Sequence, residues 1–115
     1  LYTGQVDCIY IDPPYNTGAR DWKYNNDYVD SNDSWRHSKW LAMMNRRLKI
    51  ARRLLNPETG VLIVTIDEHE VHHLRVLLQE LFPGFYIHIF GRSGEKDEPL
   101  EQGTVLCLTS PLSLL

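Results

Sequence analysis

Asp12, Pro13, Pro14 and Tyr15 place a carboxylate, a rigid backbone carbonyl and an aromatic ring within four residues. An exocyclic amine such as N6 of adenine carries two N–H donors. One can be given to the Asp12 carboxylate and the other to the Pro13 carbonyl, while the Tyr15 ring stacks on the base. Two acceptors draw the nitrogen toward tetrahedral geometry and make its lone pair available for attack on an electrophilic methyl group. Positioning then supplies much of the rate. Asp-Pro is also ordinary turn chemistry. Here, however, it closes an apolar run and continues into Asn16-Thr17-Gly18, which favours a site over a bare turn.

A second constellation competes with the first. His69-Glu70-Val71-His72-His73 fits H-E-x-x-H, in which two histidines at i and i+4 bind zinc and the glutamate serves as general base. On a helix starting near Glu68, His69 and His73 fall on the polar face, whereas Glu70 falls within the apolar arc. Later carboxylates such as Glu95 and Glu98 stand in a Gly-rich, non-helical stretch. A catalytic zinc needs a third ligand in a water-restricted cleft. The pattern therefore reads as a solvated, His-rich first turn, and no metal is expected.

The elements that must position Asp12 are legible from periodicity. Val6, Ile9, Tyr10 and Ile11 favour a buried strand, and two prolines that cannot donate to a ladder end it at or near Asp12. Asp12 to Tyr15 then sit at the strand's carboxyl edge, where open α/β sheets bind ligands. Residues 19–34, rich in Asp and Asn and carrying Trp22, Tyr24 and Tyr28, show no period and read as a long loop. Either it lies over a base pocket, with Arg20, Lys23 and the aromatics available to phosphates or unstacked bases, or it is an acidic surface loop.

Ser34 to Leu55 forms the strongest helix, with Trp40, Leu41, Met44, Leu48, Ala51, Leu54 and Leu55 on one apolar arc. Lys39, Arg46, Lys49 and Arg53 share the opposite face, a basic stripe best read as solvated. Gly60 to Ile66 is a continuous β-branched run suited to the interior of a parallel sheet. A helix from about Glu68 to Phe82 follows, then a strand from Phe85 to Phe90. The alternation argues for parallel strands joined by right-handed crossovers.

Ile11-Asp12-Pro13-Pro14-Tyr15-Asn16-Thr17-Gly18, with the elements that follow it, resembles the D-P-P-Y class of S-adenosylmethionine-dependent DNA adenine-N6 methyltransferases. It is most similar to the modification subunits of type III restriction systems. The resemblance covers roughly Val6 to Phe90. It implies part of a doubly wound, mostly parallel-sheet, Rossmann-like α/β domain, with residues 91–115 as an atypical tail. It further implies Asp12, Pro13, Pro14 and Tyr15 as the catalytic set and Asn16, Lys23 and Tyr24 as base or substrate contacts. S-adenosyl-L-methionine would be the cofactor, with double-stranded DNA and a restriction endonuclease subunit as partners.

The tail departs from that pattern. Thr104 to Leu108 reads as a short strand, but neither a DNA-recognition region nor a Phe-x-Gly-x-Gly loop for the cofactor follows, and the chain contains no G-x-G. The 115 residues therefore read as an internal fragment, inactive on its own. A non-catalytic remnant, a DNA-binding module, or an amino-methyltransferase acting on RNA or cytosine N4 remain as alternatives.

Composition sets wide bounds. With 43% hydrophobic and 23% charged residues, the chain suits one globular domain or part of one. A net charge of −3 does not advertise nucleic-acid binding, nor does it exclude an uneven distribution. Two cysteines make no disulfide framework, and no apolar run is long enough to span a membrane, so a reducing cytoplasm is expected.

Overall fold

Strand β1 (Cys8–Ile11) stops one residue before Asp12, where the two prolines end its capacity to pair. In the computed structural model, which describes residues 1–14, 23–24, 27–28, 36–91 and 103–114, this strand opens a four-stranded sheet. The other named elements are β2 (Lys23–Tyr24), β3 (Asp27–Tyr28), α1 (Arg36–Leu54), β4 (Val61–Ile66), α2 (Val71–Leu81), β5 (Tyr86–Gly91) and β6 (Thr104–Thr109). A 3-10 turn, Pro111–Leu114, follows β6.

The sheet order is β1-β4-β6-β5. β1 runs parallel to β4, with Cys8 opposite Val61 and Ile11 opposite Val64. β6 is antiparallel to both β4 and β5. Three of the four strands thus point the same way, as a mostly parallel α/β sheet requires, and one runs against them. β5 runs parallel to β4 but does not pair with it. The tail strand occupies the place between them, with Leu106 and Leu108 fully buried. Periodicity identifies a strand but carries no information about its slot in the sheet.

Along β4, Leu62, Val64 and Ile66 are buried while Val61, Ile63 and Thr65 are half-buried. Both helices cover the buried face. α1 contributes Trp40, Met43, Met44 and Leu48, and α2 contributes Val71, Leu74 and Leu78, to one core with those strand residues. Among the described residues nothing layers the opposite face, where Tyr10 is 61% and Phe90 60% exposed. Tyr10, expected to be buried with Val6, Ile9 and Ile11, is therefore exposed. Burying side chains such as Leu62 or Leu74 contributes about 1.5–3 kcal/mol each, so the helix-covered face supplies most of the cohesion.

Two further boundaries differ from expectation. Residues expected to form only a long loop contain the short antiparallel pair β2–β3, with Lys23 opposite Tyr28 and Tyr24 opposite Asp27. The second helix begins at Val71 rather than near Glu68. Asp67 holds the preceding turn in place, its Oδ1 accepting the His69 backbone N–H at 2.9 Å. Local side-chain bonding of this kind competes with helix formation.

The amino-terminal segment satisfies carbonyls at the end of α1. Gly4 N–H donates to Arg53 O and Val6 N–H to Leu54 O, each at 2.9 Å, and Asn56 N–H returns a bond to Val6 O at 2.8 Å. These carbonyls would otherwise lack helical partners. Asn56 Oδ1 then folds the turn into β4 by accepting from the Glu58 and Thr59 N–H groups. Gly60 completes that turn at close quarters, since a Cβ there would lie 2.4 Å from Leu55 Cγ and 2.5 Å from Asn56 O. No helix among the described residues is long and apolar enough to cross a membrane.

Candidate active site at the carboxyl edge of the sheet

Asp12 lies just beyond the last pair of the β1–β4 ladder, at the carboxyl edge of two adjacent parallel strands. Its side chain is exposed, and its Oδ1 accepts a hydrogen bond from the Thr65 hydroxyl at 2.6 Å. Thr65 is the one hydroxyl residue within β4 and faces the same side of the sheet as Tyr10. The bond engages one carboxylate oxygen and so orients the group. A carboxylate held in this way can accept from an incoming amine without first being ordered.

Pro13 is buried and Pro14 half-buried, so the turn after Asp12 is packed against the domain. Its anchor comes from α1. The fully buried Trp40 ring donates its Nε1–H to the Pro14 carbonyl at 2.7 Å. Buried tryptophan needs a partner for that N–H, and here the partner lies in the loop that carries Asp12. Reading Trp40 only as part of an apolar arc missed this role. The detectable signal was a Trp one helical turn inside a helix that follows the Asp-Pro-Pro-Tyr strand.

Of the other predicted site residues, Tyr15 and Asn16 lie outside the described residues, as does Arg20. Lys23 and Tyr24 are placed only as the backbone of β2. The structure thus brings Asp12, Pro13 and Pro14 together with two residues that sequence reasoning did not assign, Thr65 and Trp40.

The histidine cluster does not form the zinc-peptidase arrangement. His69 Nδ1 is 2.8 Å from Asp67 Oδ2 and is engaged there. Glu70 is fully buried, contacting His37 Nδ1 through one oxygen and His73 Nδ1, at 2.9 Å, through the other. The first turn of α2 is therefore solvated only in part, because its glutamate reaches inward to meet α1. Elsewhere, on the uncovered face of the sheet, burial raises the Cys107 thiol pKa above its usual value, and the nearby Cys8 adds to the shift.

Comparison with known proteins gives this edge its context. The N6_N4_Mtase family model, described as DNA methylase, matches residues 6–93. The chain belongs to this family of DNA methylases. It is 43% identical over 81 residues to the probable type III restriction-modification enzyme HindVI Mod subunit of Haemophilus influenzae, covering 70% of this chain and 10% of that one. It is 36% identical over 78 residues to the type II methyltransferase M.KpnI of Klebsiella pneumoniae, covering 67% of this chain and 18% of that one. A solved structure, the M1.HpyAVI-SAM complex, aligns with a TM-score of 0.44 and 16% identity, covering 91% of this chain and 44% of the other. The methylase segment thus spans between a tenth and a fifth of the length of these two sequence relatives.

Proposed function

We propose that this methylase segment is the base-pocket part of an S-adenosylmethionine-dependent DNA adenine-N6 methyltransferase of a restriction-modification system. The observation that carries the reading is Asp12, exposed at the carboxyl edge of β1 and oriented by the Thr65 hydroxyl at 2.6 Å. Relatives named as a Mod subunit and a type II methyltransferase support a DNA substrate. The type III naming of the Mod subunit supports an endonuclease subunit as partner, and we place the enzyme in the cytoplasm with it.

Asp12 would accept one N–H of a flipped adenine's exocyclic amine and the Pro13 carbonyl the other, with Tyr15 stacked on the base. Trp40 would hold the Pro14 carbonyl and so keep the Pro13 carbonyl in register with the carboxylate. As the nitrogen gains its new bond to carbon it gives up a proton, which Asp12 would receive. S-adenosyl-L-methionine, when bound, supplies the electrophilic methyl group. No glycine cradle for that cofactor occurs among the described residues, and the 115 residues alone are not expected to turn over.

The test is transfer of labelled methyl to duplex DNA by the full-length enzyme carrying this segment, followed by hydrolysis to nucleosides. N6-methyladenine is the expected product, and N4-methylcytosine would overturn the adenine assignment. Asp12→Ala should lower turnover by at least about 10²–10³, the scale for removing a preorganised electrostatic partner. Retained turnover would remove Asp12 from the mechanism.

A further inference from the structure

We propose that His37, Glu70 and His73 form a three-ligand site for a divalent transition-metal ion, zinc foremost, that joins the first turns of α1 and α2. One ligand atom from each residue lies within 4.8 Å of the others. Two imidazoles and a carboxylate are the nitrogen and oxygen donors that zinc takes. Metal–ligand distances of about 2.0–2.2 Å place neighbouring ligand atoms of a tetrahedral site roughly 3.3–3.5 Å apart. The His73 Nδ1–Glu70 Oε2 separation is 2.9 Å, so small side-chain rotations open the cluster around an ion.

Three further features make this more than a chance grouping. The Glu70 side chain is fully buried, and a buried carboxylate must be paired with positive charge or strong donors. The His37 and His73 side chains are 41% and 50% exposed, which leaves an entry path and an open coordination position for water. Glu70 and His73 are three residues apart at the start of one helix, and His37 comes from the first turn of the helix packed against it. Placement by rigid elements preorganises ligands without loop ordering. The two imidazole rings already lie close together, with centroids 5.1 Å apart and planes tilted by 52°.

The proposed site departs from the expectation of no metal, but it is not the H-E-x-x-H site. His69, needed there as a ligand, is held by Asp67, and Glu70 binds as a ligand instead of acting as a base. The ion would be structural, next to a helix that also carries Trp40 and so supports the Pro14 turn.

The chain is stripped with chelator and titrated with Zn²⁺ by calorimetry and with Co²⁺ by visible absorption, and melting is followed in parallel. One equivalent should bind, give four- or five-coordinate cobalt bands without a thiolate charge-transfer band, and raise the melting temperature. His37→Asn and His73→Asn each remove an imidazole ligand while keeping a side-chain N–H donor for the buried Glu70 carboxylate. Each should weaken zinc binding by more than the roughly 10–100-fold that loss of an outer-shell partner costs. His72→Asn and His69→Asn should leave binding unchanged. Substoichiometric binding, binding that survives both ligand variants, loss in His69→Asn, or a thiolate band from Cys8 or Cys107 would each overturn the site. All of these readouts are independent of methyl transfer.

Discussion

Trp40→Phe tests the link between α1 and the Asp12 turn. The substitution keeps an aromatic ring in a fully buried position but removes the Nε1–H that donates to Pro14 O at 2.7 Å. Leaving an acceptor without its donor costs about 1–3 kcal/mol when the group is sealed from water. Pro14 is half-buried, so water can partly replace the indole, and the lower half of that range applies. The smaller ring leaves a void and forfeits about another 1 kcal/mol. The sum, about 2–3 kcal/mol, corresponds to a fall in melting temperature of roughly 10 °C for a domain of this size. Urea unfolding followed by circular dichroism reads it directly. Met44→Leu, a near volume-conserving change at an equally buried position, serves as control and should cost less than about 1.5 kcal/mol. A Trp40→Phe cost no larger than the control's would refute the claim that this hydrogen bond anchors the turn.

In the complete enzyme, Thr65→Val should leave unfolding within about 1 kcal/mol of the parent, because Asp12 is exposed and can be rehydrated, yet turnover should fall as the carboxylate loses its orienting donor. Equal kcat in the two proteins would show that Thr65 does not position Asp12. Gly60→Ala should destabilise by about 1–3 kcal/mol, since its Cβ meets Leu55 Cγ at 2.4 Å and backbone Asn56 O at 2.5 Å. A neutral urea midpoint would disprove that close approach. Thiol labelling should modify Cys8 ahead of Cys107 at neutral pH, and Cys8→Ser should lower the Cys107 pKa part of the way, burial being the larger cause. With its folded pKa raised, Cys107 contributes stability that is present below the unfolded thiol pKa and lost as pH rises through the folded one. The alkaline fall in urea midpoint should therefore shrink in Cys107→Ser.

The end of β1, the apolar face of α1 and the interior run of β4 were legible in the sequence because each depends on local chemistry: two prolines, a 3.6-residue period, a β-branched block. The place of β6 was not. Residues 104–109 announce a strand, but their partners, Val61 to Ile66 and Tyr86 to Gly91, are chosen by the packing of the whole sheet. The exposure of Tyr10 was hidden for the same reason, since β-branched and aromatic content does not reveal whether a second layer covers the strand. At the site, Asp12 and the prolines stood out by type. Thr65 and Trp40 did not, because their roles arise from bonds spanning 53 and 26 positions of the chain. Glu70 was correctly placed on the inward arc, but His37, which meets it from the other helix, lay 33 positions away.

The bond between Pro14 and Trp40 has a consequence for how this segment can change over time. It closes the chain between residues 14 and 40 at its base, while backbone bonds from Gly4 and Val6 lock the far end of α1. Lengthening a stretch whose ends are already pinned is inexpensive, about 0.6 kcal/mol for each doubling. The strand, the helix and the carboxylate at their junction should therefore hold their places while the residues between them are inserted, deleted or exchanged. The frame that positions Asp12 can thus persist while the sequence between its two anchors varies.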